Sequence, residues 1–253
     1  MQLGCCVSPT YLKYVVDAGF DYAELACSST LPSESTSVWN NERDQLLALG
    51  VPIRGFNVLM QPNLHVVGPD VDVSAIREYL DIVLTRVAEL GGEHISFGSG
   101  RARKIPRDFE PARAENQLLE FLALFAELSA PYSIQINLEF LRRAETNFIN
   151  SLLEAKRFVE RIHSNSIKIL ADFFHMMEEE EPISDLYLVS NHVGYVHVAD
   201  TGRLYPGSGL YPYNEFLNTL RRIGYDGPIS VECQWGDVES ELRLSAEFLR
   251  QYI

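Results

Sequence analysis

Short runs rich in β-branched and aromatic residues recur along the chain, separated by stretches whose apolar positions repeat at helical spacing. The runs are LGCCV (3–7), YAELA (22–26), IRGFNVL (53–59), HISFGSG (94–100), IQINLEF (134–140), IKILADF (167–173), YVHVAD (195–200) and ISVECQW (229–235). They read as continuous rather than alternating apolar runs, the pattern of strands covered on both faces of a sheet. Between them, VSAIREYLDIVLTRVAELGG places Ile76, Leu80, Val83, Leu84, Val87 and Leu90 at helical spacing and stops at Gly91. After the first run, SPTYLKYVVDAG offers Ser8 as an N-cap, Pro9 at the first helical position and Gly19 as a stop. AENQLLEFLALFAELSA, NFINSLLEAKRFVERI, NEFLNTLRRIG and ESELRLSAEFLRQYI predict further helices, and SDLYLVSN a short one in the sixth crossover.

Eight strand-then-helix units predict an α/β protein with a parallel sheet covered on both sides. Closed on itself, that sheet is a (β/α)8 TIM barrel, whose typical length of about 250 residues matches the 253 of this chain. The rival is an open doubly wound sheet, but no GxGxxG follows the first run, and no linker-like break in composition divides the chain. One domain over residues 1–253 is expected.

Composition narrows the partners. An apolar share of 46% and a charged share of 22% suit a soluble globular protein with ample core. The formal charge of −14 opposes nonspecific attraction to nucleic acid or anionic membrane, because binding those polyanions depends on lysine and arginine. Cys5, Cys6, Cys27 and Cys233 form no CxxC pair, the start MQLGCCVSPT lacks the pattern of a signal peptide, and no window approaches a membrane span. A reduced cytoplasmic compartment is the expectation, with no nucleic-acid or membrane partner.

One strand end breaks the apolar rule. VHVADTGRLYPGSG (196–209) opens as a buried strand and then presents His197, Asp200 and Arg203 before a loop holding Pro206, Gly207 and Gly209. Each of those polar groups loses hydration on burial, so a core strand gains nothing from them. Glu139, Asp172 and Glu232 occupy the corresponding ends of the fifth, sixth and eighth runs, about one βα unit apart. A barrel brings all four to its C-terminal mouth, where barrel enzymes keep their active sites. Three carboxylates and an imidazole repel one another there unless a cation holds them. Oxygen-rich ligation with one nitrogen suits one divalent ion, Mn²⁺ first, with Mg²⁺ and Co²⁺ as alternates and Zn²⁺ left open.

With these residues in place, NLEFLRRAETNFIN (137–150), LADFFHMMEEEE (170–181), VHVADTGRLYPGSG and ISVECQW closely resemble the xylose isomerase-like barrels, in particular the ketose 3-epimerase and hydroxypyruvate isomerase branch. The close resemblance covers the C-terminal half; the N-terminal half matches in strand rhythm and in AGFDYAEL. It implies metal ligation by Glu139, Asp172, His197 and Glu232, proton exchange with substrate by Glu139 and Glu232, and contacts to substrate oxygens from Glu145, His175 and Arg203. Taken singly, Glu145 also reads as a helix cap, His175 as a core imidazole and Arg203 as half of a loop salt bridge. The implied reaction is 3-epimerisation of a ketose or keto-sugar, free or phosphorylated, through a metal-stabilised cis-enediolate. Returning the proton to the neighbouring carbon instead gives an aldose–ketose or hydroxypyruvate-type isomerase on the same site. An endonuclease IV-like phosphodiesterase and a noncatalytic sugar-binding barrel are the readings from other classes. The expected partner is a small sugar or sugar phosphate, and the sequence leaves room for a homo-oligomer, dimer or tetramer.

The remaining signals are weaker. FGSGRARKIP (97–106), through Arg101 and Arg103, is a candidate anion or phosphate site and equally a solvated basic loop; with RLYPGSG it is expected to close the mouth. Glu24 reads as a rim salt bridge or a substrate contact, EEEE at 178–181 as a solvated helix face, and Cys5 and Cys6 as small core residues. His65, in the loop after the third run, is within reach of the site; His94 and His192 fall at strand starts and His163 at a helix end.

Overall fold

The computed structural model describes residues Met1–Ile253. Its strands are β1 (Gln2–Cys6), β2 (Tyr22–Ala26), β3 (Ile53–Asn57), β4 (His94–Phe97), β5 (Gln135–Glu139), β6 (Ile167–Asp172), β7 (Val193–Val198) and β8 (Pro228–Val231). All pair in parallel in chain order, and β8 returns to β1 through Leu3↔Ile229 and Cys5↔Val231 to close the barrel. Closure leaves no edge strand to protect.

Each strand has two kinds of alternate position, because successive side chains point to opposite faces. One set is apolar and fully buried: Leu3, Leu25, Phe56, Ile95, Leu138, Ile169, Val196 and Ile229 join the large core shared with the helices. The other set points into the barrel, where Tyr22, Leu170 and Tyr195 form a separate small cluster. Gly4 and Gly55 make room for those rings; a Cβ at Gly4 would meet the Tyr22 ring at 2.2 Å. The apolar runs read in the sequence are thus one apolar layer interleaved with an interior layer of mixed character.

The crossovers carry α1 (Leu12–Val15), α2 (Thr36–Ala48), α3 (Val73–Glu89), α4 (Gly100–Arg103), α5 (Pro111–Ser129), α6 (Leu152–Ile162), α7 (Phe173–Glu178), α8 (Leu186–Val189), α9 (Tyr213–Arg222) and α10 (Val238–Leu249). The strongly periodic stretches form α3, α5, α6, α9 and α10. Gly19 ends the first crossover helix with φ +102°, but Ser8 does not cap it: its hydroxyl meets Thr10 Oγ1 at 3.0 Å, and a 3-10 turn precedes α1. The sixth crossover is as short as expected. α2 carries no clear apolar stripe because only Trp39 and Leu46 are buried in it. Trp39 anchors it by donating to Glu89 and lying under the Arg86 guanidinium. No helix is long and apolar enough to cross a membrane.

Candidate metal centre and active site

Four strand ends build the centre. Glu139 and Asp172 close β5 and β6, His197 is the penultimate residue of β7, and Glu232 directly follows β8. One ligand-type atom from each lies within 4.8 Å of all the others. Bonds of about 2.0–2.2 Å to one ion span ligands up to about 4.4 Å apart, so small side-chain adjustments bring the four onto a common centre. Glu139, Asp172 and His197 are buried, and two of their inward atoms, Glu139 Oε1 and His197 Nδ1, have no hydrogen-bond partner. Buried polar atoms without a partner are costly, and a cation between them removes that cost. The residues therefore fit a divalent ion.

The interior layer orients these groups. His197 Nδ1 faces Glu139 and Glu232 at 3.6 Å each, while its Nε2 lies 3.0 Å from both oxygens of Glu24. Glu24 is not on the rim. It is fully buried inside the barrel and also accepts from Tyr195 Oη at 3.0 Å and Ser96 Oγ at 3.4 Å. Burial pushes the Glu24 carboxyl up, but the His197 charge and its hydrogen bonds outweigh this and hold it below the usual range. Burial likewise pulls His197 down, yet Glu24 and Glu232 hold it well above an ordinary histidine. That demand for positive charge is one a divalent ion would meet at Nδ1, releasing the proton.

Asp172 does two jobs. Its Oδ1 caps α7 by accepting from His175 N at 2.9 Å, and its Oδ2 lies 3.8 Å from His175 Nε2. The cap fixes His175, whose Nε2 is fully buried, without a partner, and 3.9 Å from Glu139 Oε1. Glu232 accepts from Asn57 Nδ2 at 3.0 Å on one oxygen and from Arg203 Nη2 at 2.6 Å on the other. Burial raises its carboxyl pKa, with Glu139 adding and with His197 and Arg203 opposing. Arg203 also reaches Glu145 at 3.4 Å, and the Phe174 ring lies 5.1 Å from both the Arg203 and Arg142 guanidinium carbons. Its backbone takes φ +61° after Gly202 at +73°.

Asp200 holds the loop that delivers Arg203. It is buried and accepts from Thr201 N, Gly207 N and Tyr211 N at 2.7, 3.0 and 3.2 Å. Gly209 permits this packing, since a Cβ there would sit 2.3 Å from Asp200 Oδ1. On the other side, Gly98 leaves room for Glu139: a Cβ would fall 2.1 Å from its Oε2. Beside Glu232 a cavity of about 680 Å³ opens at the ends of β1, β2, β3 and β8, bounded by Cys6, Glu24, Asn57 and Trp235.

Other candidates land elsewhere. Arg103 is fully buried and donates to the Glu139 carbonyl at 2.8 Å, whereas Arg101 is exposed and lines a surface pocket. His65 lines a surface pocket with Arg101 instead of joining the four strand ends. His94 stacks beside Tyr195 at the opposite end of the barrel, and burial lowers its pKa to about 4; His192 pairs with Glu160 at 3.4 Å. EEEE is a solvated face only in part: Glu178 and Glu180 are exposed, Glu178 and Glu179 pair with Arg142 and Arg143, and buried Glu181 accepts from Leu152 N at 2.8 Å in the first turn of α6. Cys5 is a core residue, but Cys6 lines the cavity 3.3 Å from Asn57 Nδ2. Asn57 and Gly98 gave no signal of their own. Each sits two residues beyond an interior strand position, at Gly55 and Ser96, and that period would have singled them out.

The sequence profile of the xylose isomerase-like TIM barrel family matches residues 12–252. The chain belongs to that family. Its relatives include the D-psicose 3-epimerase of Ruminiclostridium cellulolyticum, 28% identical over 230 residues, which are 88% of this chain and 76% of that one. The ketose 3-epimerase of Arthrobacter globiformis is 31% identical over 163 residues, 63% of this chain and 56% of its own. The barrel superposes on the D-allulose 3-epimerase of a Methylomonas species in complex with D-allulose, with a TM-score of 0.85 over 100% of this chain and 97% of the other at 22% identity, a likeness of fold. This member of the family is an enzyme of the isomerase class.

Proposed function

We propose that the protein is a divalent-metal-dependent ketose 3-epimerase, with one ion, Mn²⁺ first, held by Glu139, Asp172, His197 and Glu232. The observation that carries this reading is the convergence of those four donors, with buried Glu139 Oε1 and His197 Nδ1 lacking any other partner. The names of the relatives, D-psicose and ketose 3-epimerase, supply the substrate class. When bound, the ion supplies electrophilic stabilisation of negative charge developing on the substrate's neighbouring oxygens.

The chain's own groups do the rest. With Oε1 turned to the ion's position, Glu139 has its second oxygen, Oε2, beside Gly98, to take the substrate proton. Glu232, with both oxygens engaged by Asn57 and Arg203 and its pKa raised by burial, is the complementary carboxyl that returns a proton to the other face. Arg203 and His175 Nε2 hold substrate oxygens, and Glu145 fixes Arg203 through their shared contact. Transfer between the two faces of one carbon inverts it, which is epimerisation.

Two measurements test this. Metal analysis of the purified protein is expected to give about one divalent ion per chain, and incubation of ketoses in D₂O to place deuterium at C3 of both epimers. A protein without bound metal that leaves C3 unlabelled contradicts the reading, and label on a newly formed aldose replaces epimerisation with isomerisation.

A further inference from the structure

The chain carries 21 lysines and arginines against 35 aspartates and glutamates, so partners for its cations are plentiful. Seventeen of them meet a protein acceptor or an aromatic ring. The four that meet neither are Arg101, Lys104, Arg107 and Arg222. Three of these line one pocket of about 280 Å³ together with His65. Asp70 is the one carboxylate on its wall, and no ion pair joins it to these cations. Like charges gathered without a counterion repel one another, so such a grouping in an acidic protein points to an anion from outside.

The pocket is also built rather than draped. Val66 N donates to Ala102 O at 2.8 Å, joining the loop after β3 to α4. Gly68 and Gln117 exchange two hydrogen bonds, at 2.9 and 2.8 Å, tying the same loop to α5. The Asn147 side chain brackets Ile105 through both its N–H and its carbonyl, at 2.9 and 3.0 Å. The backbone beneath the cations is therefore fixed before any ligand arrives, which lowers the ordering cost of binding. This segment also adjoins the candidate active site, since Gly98 packs on Glu139 and Arg103 bonds the Glu139 carbonyl.

We propose that His65, Arg101, Lys104 and Arg107 form a binding site for a phosphoryl group, carried by a sugar phosphate reaching out of the mouth or arriving as free phosphate. Two guanidinium forks and an ammonium match a dianion with three terminal oxygens. A carboxylate, with one charge and two oxygens, leaves part of that set unmet. Only the sugar-phosphate source rests on the epimerase reading.

The test is isothermal titration of the metal-loaded protein with inorganic phosphate, with chloride at matched ionic strength as control. Saturable one-site binding is expected, weakened at least about tenfold in Lys104→Glu/Arg107→Glu. Arg101→Ala serves as a second variant should the double reversal fold poorly, as read by its melting temperature. Absence of saturable binding, or binding that both variants leave intact, overturns the proposal. With binding established, phosphate that competes against a ketose phosphate but not against the free ketose assigns the site to the substrate's tail; phosphate that affects neither assigns it to the free anion. Because titration needs no turnover, a missing phosphate site leaves the epimerase reading standing, and an inactive protein still reports on the site.

Discussion

The side chains that touch the four candidate ligands decide how those ligands are held. Glu24 fixes His197 by accepting at Nε2, which leaves Nδ1 facing Glu139 and Glu232. Partners of this kind orient and tune a ligating imidazole, and their loss costs roughly 10–100-fold in metal affinity. Glu24→Ala is therefore expected to weaken Mn²⁺ binding by about that factor in a titration followed by electron paramagnetic resonance; unchanged affinity would show that the contact is passive. Arg203 makes a different prediction. A guanidinium cannot ligate a metal, and Lys cannot reproduce its fork, so Arg203→Lys is expected to lower kcat/KM while bound metal per chain stays unchanged. Loss of the metal along with activity would reassign the residue. The four strand-end ligands were legible in the sequence because an ionisable group ending an apolar run is conspicuous. Glu24 sits in the middle of such a run, YAELA, yet its burial was not legible, because the sequence does not say which alternate residues of a strand face the barrel interior. Asn57 and Gly98, neutral and ordinary, matter through geometry that exists only once the barrel closes, with Asn57 of β3 reaching across the mouth to Glu232 and β4 standing beside β5.

Among elements, legibility followed burial. Helices with a broad apolar stripe, α3 and α5 above all, announced themselves, whereas α2 holds to the barrel through Trp39 and Leu46 and looks polar in one dimension. The strand ends β4 and β5 supply a direct test of how backbone space controls the site. Adding a methyl in Gly98→Ala forces Glu139 Oε2 to move, since the new Cβ would lie 2.1 Å away, and metal content is expected to fall while the melting temperature changes little. A variant that binds metal normally would mean that Glu139 has room to spare. At the start of α6, Glu181 accepts from Leu152 N with one oxygen buried and unpartnered. Burial raises its pKa to about 7, with Asp185 and Glu154 adding and the Leu152 hydrogen bond opposing. The unfolded carboxyl loses its proton near 4.5 and the folded one near 7, so between those values the folded state holds the extra proton and stability falls as pH rises. Glu181→Gln cannot ionise and is expected to gain on the wild type between pH 5 and pH 8, by on the order of 2 kcal/mol. Parallel melting curves across that range check the sign, and a constant difference would show that Glu181 titrates normally.

Across the whole molecule, the closed ladder and the shared core hold the barrel, and the candidate centre sits at the mouth as a cost the fold tolerates. Three carboxylates and an imidazole gathered there oppose one another unless a cation is bound. A chelator is thus expected to lower the melting temperature by a few degrees and leave the barrel folded, in line with the roughly 2.7 kcal/mol that a ligand at one hundred times its Kd contributes. The same mouth receives loops of contrasting charge, acidic at its centre and basic at the pocket of Arg101, Lys104 and Arg107, within a chain of net charge −14. In the proposed reaction, Glu139 and Glu232 at one metal centre take a proton from one face of a ketose carbon and return one to the other face. Its most direct test is solvent exchange in D₂O, followed by NMR at C3 of a ketose, for the wild type, Glu139→Gln and Glu232→Gln, each loaded with Mn²⁺ and the metal then removed by chelation before the spectra are taken. Label at C3 with inversion is expected in the wild type, no inversion in either variant, and exchange of a single epimer surviving in one of them at most. Near-normal inversion in both variants would contradict these roles of Glu139 and Glu232.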